Sequence, residues 1–525
     1  MNWNDCFLSV LRLRDSGTDG KRESLSDQTD KRTAAESDFG RVIFSPACRR
    51  LHDKTQVFPL TTNDNIHSRL THSLEVMNMG LSFSIDLSMN QKFLQITELT
   101  NIDVLRDVSA ILKTSCIVHD IGNPPFGHFG EVVIQNYFEE LFNKIGRGNS
   151  PIERNISEMD YTTKAEKKVK SKEEIQLIND SRAAFQSKQL KTFLTNEQWK
   201  LDYTEFDGNA EGLRIITKLQ NAGDLYGLNL TYGTLAATIK YPNIGKSKRN
   251  DKIGNHKHGV LFTERKELEE IAKKCLLKRG DYEYFRHPLS FLMEAADSIC
   301  YLVMDIDDAI TRKWVTFDDV KQLVEKSDER ARNRIIDVYN HILVGNTSPR
   351  KRWMSLRTAI LGYLMEVALK NFVDNLEDIE IGEYDHELIE DNNPFTGNLQ
   401  RFAAEQILSQ RDINSLETTG KSVISGLLDE YIYLLFHQNK GFRDRAKVLL
   451  SKSLLCTVID EHIRDYPEAF KEKYGDKNVD NVFGEFDLGD LTVEERLRLI
   501  RDYVAGMTDK FALNHYRELS GQRLS

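Results

Sequence analysis

The chain is short of proline, of long apolar runs, of paired cysteines and of positive charge. Ten prolines in 525 residues leave long stretches free to be helical. No apolar run approaches the ~20 residues needed to span a bilayer. The N-terminus, MNWNDCFLSVLRLRDSG, has a brief apolar run but no small-residue cleavage site, so neither a membrane span nor a signal peptide is expected. The six cysteines (Cys6, Cys48, Cys116, Cys275, Cys300 and Cys456) are scattered without a CxxC pair. That argues against a disulfide framework and fits a reducing, cytoplasmic compartment. Cys116 and Cys300 lie in apolar stretches and read as small core residues. A net charge of −10 supplies no global basic field for nucleic acid. Local basic stretches at 245–258 and 443–447 are separate from that average.

Enough apolar sequence is present for a sizeable core, and the length allows two to four domains or one large helical body. Long segments carry a period near 3.6, with no run of alternating strands and no internal repeat. An all-α fold is expected. Residues 1–40 are polar and read as an N-terminal arm. Residues 41–312 read as a core interrupted by a charged insertion at 143–200. Residues 313–525 read as a C-terminal helical lobe.

Three segments carry metal-type chemistry. In ILKTSCIVHDIGNPPFGHFGE (111–131) an apolar helix is predicted to end at His119 and Asp120, because Gly122, Asn123, Pro124 and Pro125 stop it. A His nitrogen beside a carboxylate suits a borderline divalent ion, although most isolated His-Asp pairs bind nothing. In RLTHSLEVMNMG (69–80), His72 shares a helix face with Val76 and Met79, a pattern that a core histidine also gives. His52 and His67 sit in polar, turn-like sequence and are expected to be exposed. In HPLSFLMEAADSICYLVMDIDDAI (287–310), Asp297, Tyr301, Asp305 and Asp308 form one stripe on an otherwise apolar helix. A buried carboxylate needs a partner, and a metal ion is one. Two His and two Asp would leave positions open for water or phosphate oxygens. Downstream, His128 and Glu131 are three apart at a helix start, so the acid can orient the imidazole for proton transfer.

RVIFSPACRRLHDKTQVFPL (41–60), RLTHSLEV (69–76), HDIGNPPFGHFGE (119–131), FDGNAEGLRI (206–215), IKYP (239–242), MEAADSICYLVMDIDDAI (293–310) and GMTD (506–509) together resemble the bacterial deoxyguanosine triphosphate triphosphohydrolases. The resemblance implies an all-helical HD-domain core with an additional C-terminal lobe. It implies hydrolysis of dGTP at the α-phosphate to deoxyguanosine and tripolyphosphate. It places one divalent ion, Mn²⁺ or Mg²⁺ foremost with Co, Ni, Fe or Zn as alternatives, on His72, His119, Asp120 and Asp297. It makes His128 and Glu131 a catalytic pair. Gln56 and Val57 would lie near the nucleoside, Lys240, Tyr241 and Lys257 at the phosphates, Tyr301 beside the sugar, and Asp305 at the 3′-hydroxyl. Relatives of this kind form homo-oligomers, often hexamers, and some take single-stranded DNA as effector. A broader deoxynucleotide triphosphohydrolase, or another HD-type nucleotide phosphohydrolase, is the alternative. The stretches 143–200 and 221–230 depart from the family pattern.

Overall fold

Side-chain caps decide where many of the helices begin. Thr33, Ser68, Thr100, Ser171, Thr316 and Thr492 each close a reciprocal capping box on the first turn. Proline opens Pro288–Thr311 and Pro349–Asp374, where its missing N–H removes no helical hydrogen bond. The computed structural model describes residues 3–13, 30–58, 60–61, 65–147, 150–162, 167, 169–220, 226–248, 252–280, 283–343 and 348–522. Among these the fold is helical, as expected. The one sheet is a small antiparallel pair, Lys278–Gly280 with Glu283–Tyr284. No described helix is long and apolar enough to cross a membrane. All six cysteines are free and buried.

The chain divides into two interleaved units. The first comprises Met1–Ile121, Asn229–Val260 and Glu264–Thr418. The second comprises Gly122–Leu228, Leu261–Thr263 and Thr419–Ser525. This differs from a linear arm, core and C-terminal lobe. The division expected after residue 312 falls inside the first unit, because Pro349–Asp374 packs on Pro288–Thr311, with Arg357 Nη1 2.8 Å from Asp307 Oδ2.

The N-terminal arm also departs from expectation. Its residues 14–29 lie outside the described residues. Residues 3–8 are not loosely held: Trp3, Cys6, Phe7 and Leu8 are buried in the first unit. Trp3 Nε1 donates to Glu380 at 2.6 Å, and the Phe7 carbonyl accepts from the buried His287 ring at 2.9 Å. The polar average of residues 1–40 concealed a short apolar anchor. In the 143–200 insertion, residues 148–149, 163–166 and 168 lie outside the described residues. The helix Lys172–Thr195 is mostly solvated but buries Gln186, Leu190 and Phe193 in the second unit. Its Phe193 ring meets Phe142 and Tyr203 edge-on.

The second unit contains a buried network of charged side chains. Arg214 is fully buried with Nε 2.7 Å from Asp502 and Nη2 3.3 Å from Glu461. Arg501 adds contacts to Asp502 at 2.7 Å and Glu211 at 3.5 Å. Removing one partner from such a pair typically costs about 3–5 kcal/mol, because the other charge is left buried. The network ties Gly208–Arg214 to Lys452–Asp465 and Val493–Ala505.

GMTD has a local purpose in the same unit. The chain enters Gly127–Gly146 through Phe126, which is left-handed at φ 63. That conformation costs a non-glycine residue roughly 1–2 kcal/mol. The Phe126 N–H donates to the buried Asp509 carboxylate at 2.9 Å. A hydrogen bond to a charged acceptor returns about 1.5–3 kcal/mol, enough to hold the turn.

Candidate functional site

Three apolar helix faces of the first unit converge on polar side chains. His72 is fully buried on Arg69–Met89, beside Val76. The all but uniformly buried helix Ser109–Val118 ends at His119, with Asp120 in the turn that follows. Pro288–Thr311 contributes Asp297. Arg69–Met89 packs against both other helices.

The Nε2 atoms of His72 and His119 lie 3.1 and 3.3 Å from the same oxygen, Asp297 Oδ1. His119 Nε2 is 3.5 Å from Asp120 Oδ2. One donor atom each from His72, His119 and Asp297 falls within a 4.8 Å group. That spacing fits ligands standing about 2.0–2.2 Å from a shared divalent ion. The tautomer fits as well. His119 Nδ1 donates to the Cys116 carbonyl at 2.6 Å, and a carbonyl only accepts, so Nε2 presents its lone pair to the centre.

Electrostatics match the anionic part of that donor set. Burial alone would push His119 down, but the Asp120 and Asp297 carboxylates outweigh it and raise the imidazole to about 9, so a dication that takes Nε2 displaces a proton from it. Burial would raise Asp120. Arg69 first, then His119 and His72, hold it down to about 2. Asp297 is likewise held well below the usual carboxylate range, against burial, by His119, His72 and Lys240. The anionic ligands therefore stay ionised. Arg69 Nη1 lies 2.7 Å from Asp120 Oδ2 and supplies compensating charge. Sequence reasoning missed Arg69, although its place three residues before His72 puts it on the same helix face.

A cationic group borders Asp297. Lys240 Nζ is 4.0 Å from Asp297 Oδ2 and 3.5 Å from Glu294 Oε1. The Lys240 and Lys257 ammonium groups lie 5.6 and 6.0 Å from the Tyr241 ring, so the structure brings these three expected residues together. Burial would depress Lys240, but Tyr241, Glu294, Glu387 and Asp297 keep it protonated. Glu294 was missed. It is buried and also held by Arg286 at 2.7 Å. Its signal was the spacing of three to Asp297. Glu387 was missed as well, and no local pattern marks it. Repulsion from Glu294, with burial, raises it to about 7.

Farther along the Asp297 helix, burial pushes the Tyr301 phenol above its usual range. Burial, then Asp308, raises Asp305 to about 8. Gln56 and Val57 are half-buried in the first unit, and Gln56 Oε1 accepts no hydrogen bond from any described residue.

His52 is exposed, as expected, but His67 is not. Its side chain is 15% accessible, with Nδ1 2.7 Å from Asp308 and Nε2 3.2 Å from Glu75. The turn-like sequence hid this, because the partners are distant in the chain or on the next helix. His67 pins the segment before Arg69–Met89 to the Asp297 helix. Burial would lower its pKa, but the Asp308 and Glu75 hydrogen bonds raise it to about 10. A folded value above the ordinary ~6.5 gives stability that is full below pH 6.5 and is lost as pH rises through 10. His67→Gln is therefore expected to lower the melting temperature at neutral pH and to flatten its decline towards pH 10. Parallel thermal melts of both proteins across that range check this, and superimposable pH profiles would contradict it.

His128 and Glu131 belong to the second unit. They lie near the start of Gly127–Gly146, with His128 Nδ1 3.0 Å from Glu131 Oε2. The His128 side chain is 76% exposed and that of Glu131 7%. Glu131 Oε1 also accepts from the Gly208 N–H at 2.8 Å.

Residues 69–175 match the HD domain family, and residues 484–518 match a phosphohydrolase-associated domain. The HD match carries divalent-metal binding with it. The chain is 31% identical over 510 residues to a deoxyguanosinetriphosphate triphosphohydrolase of Salmonella paratyphi A. It is 30% identical over 513 residues to one of Cronobacter sakazakii, and 29% identical over 515 residues to one of Enterobacter sp. (strain 638). Each comparison covers 92% of this chain and 93% of the relative.

Proposed function

Because this chain belongs to the deoxyguanosinetriphosphate triphosphohydrolase family, we propose that it hydrolyses dGTP at the α-phosphate to deoxyguanosine and intact tripolyphosphate. The observation that carries this reading is the His72–His119–Asp297 cluster with Lys240 at its edge. In it, His72, His119, Asp120 and Asp297 hold one divalent ion, Mn²⁺ or Mg²⁺. When bound, the ion supplies Lewis-acid polarisation of a phosphoryl oxygen and of water.

The chain's own residues do the rest. Lys240, Tyr241 and Lys257 bind the triphosphate by charge and hydrogen bonding. Glu294 keeps the Lys240 ammonium beside Asp297. Tyr301 lies against the sugar and disfavours a ribose hydroxyl. Asp305 hydrogen-bonds the 3′-hydroxyl, so a dideoxy analogue leaves a buried polar group without its partner. Gln56 and Val57 face the nucleoside, and the open Gln56 carbonyl suits an amino group. His128, oriented by Glu131, moves a proton in the reaction.

Assay of the four deoxynucleoside triphosphates and GTP, with phosphorus NMR of the products, tests this. dGTP turnover with a tripolyphosphate signal is expected. Pyrophosphate or orthophosphate as first product would overturn the reaction, and equal turnover of all four would favour the broader deoxynucleotide enzyme. We also propose a homo-oligomer, a hexamer by resemblance, with single-stranded DNA as effector, in a reducing cytoplasm that suits six free cysteines. The exposed Leu74, Ile85 and Met89 on one helix support a subunit interface. Sedimentation with and without DNA checks the assembly.

A further inference from the structure

We propose that the backbone N–H of Gly208 is the positioning group that sets the tautomer of His128. This rests on the proposed role of His128 in proton transfer.

Glu131 is a nearly buried carboxylate, and such a group needs hydrogen-bond donors for both oxygens. Oε1 takes the Gly208 N–H at 2.8 Å, and Oε2 faces His128 Nδ1 at 3.0 Å. An ionised carboxylate only accepts. With Oε1 committed to Gly208, Oε2 draws the imidazole proton to Nδ1. Nε2 is left as a lone pair on a side chain that is three-quarters exposed. Glu131 thus acts through His128, and Gly208 through Glu131.

The donor is available for a structural reason. Gly208 is the first residue of Gly208–Arg214, where backbone N–H groups have no helical acceptor. The N-cap Asp207 accepts from Asn209 N at 2.9 Å, which leaves the Gly208 N–H to Glu131. Glycine is required by closeness. A Cβ at 208 would stand 2.2 Å from Asn123 Oδ1 and 3.0 Å from Glu131 Oε1, and a Cβ at 122 would stand 2.1 Å from the Gly208 carbonyl. Gly122 and Asn123 therefore meet the FDGNAEG segment at its backbone within the second unit. Arg214, at the far end of the short helix, anchors it to Asp502 and Glu461.

The test compares Gly208→Pro with Gly208→Ala. Proline is tolerated at the first helical position and replaces the N–H with its ring Cδ, while alanine keeps the N–H and introduces the same Cβ crowding. Relative to the alanine variant, the proline variant is expected to lose about tenfold in kcat, the worth of one hydrogen bond to a charged acceptor. KM for dGTP and bound metal should be equal in the two. Equal kcat in two folded variants would overturn the proposal.

A second measurement stands if neither variant folds. Imidazole ¹⁵N shifts, with the His128 signal identified by its loss in His128→Ala, should show Nδ1–H in the wild type. In Glu131→Gln the single amide oxygen stays on Gly208 and its NH₂ turns to His128, so the proton should move to Nε2. An Nε2–H wild type, or an unchanged tautomer in the Gln variant, sinks the proposal. Normal turnover in His128→Ala would instead refute the proton-transfer reading and leave the tautomer result standing.

Discussion

Asp297→Asn is expected to empty the metal centre and to reduce dGTP hydrolysis by about 10³-fold or more, since several kcal/mol of Lewis-acid stabilisation disappear at about 1.4 kcal/mol per decade. Asp297 is the informative position because its Oδ1 lies within 3.3 Å of both histidine Nε2 atoms. Asparagine keeps the volume and one acceptor but loses the charge that attracts a dication. It also presents an amide that can turn its donor towards the histidine lone pairs. The fold is expected to survive. Asp297 is one of several anions that Lys240 and His119 face, and Glu294 and Asp120 remain beside them. Metal content by mass spectrometry of the purified protein, kcat on dGTP and a thermal melt separate the outcomes. A folded variant with full metal and wild-type turnover would remove Asp297 from the centre. A variant without metal that still turns over would remove the ion from the reaction.

That centre was legible in sequence only as far as local spacing reaches. His119 and Asp120 stood out because the Gly-Asn-Pro-Pro run forces a helix to stop there, and Ser109–Val118 stops there. Asp297 stood out because an acid on an apolar stripe demands a partner. The partners that lie apart in sequence were hidden. Glu387 reaches Lys240 from the segment after Leu376–Glu380, and no periodicity encodes that meeting. His67 looked like an exposed turn residue because Asp308, 241 positions away, is invisible to any window. The division into two interleaved units was hidden for the same reason. The first unit is assembled from three separate stretches, and composition along the chain is blind to chain crossings.

The two groups of candidate residues are also separable by experiment because they are built differently. The metal ligands are embedded in packed helix faces, so their charge is coupled to Arg69, Lys240 and Glu294. His128 is exposed, and its Nδ1 meets Glu131. Truncating it removes little packing, so stability should stay within about 0.5 kcal/mol of wild type.

His128→Ala is accordingly expected to retain metal and melting temperature while kcat falls by about 10²–10⁴-fold, the usual contribution of a positioned general acid or base. The Michaelis constant should change little, because the triphosphate is assigned to Lys240, Tyr241 and Lys257 and the sugar to Tyr301 and Asp305. The contrast with Asp297→Asn is the substance of the test: one variant loses metal and turnover together, the other turnover alone. Glu131→Ala should fall between wild type and His128→Ala, since it frees the imidazole to rotate and change tautomer without removing it. The double variant should be no slower than His128→Ala, because the acid has nothing left to orient. Steady-state kinetics on the four proteins, each with its metal content, decide the matter. An additive double variant would mean that Glu131 acts independently of His128, and a His128→Ala enzyme at wild-type kcat would place proton transfer on another group.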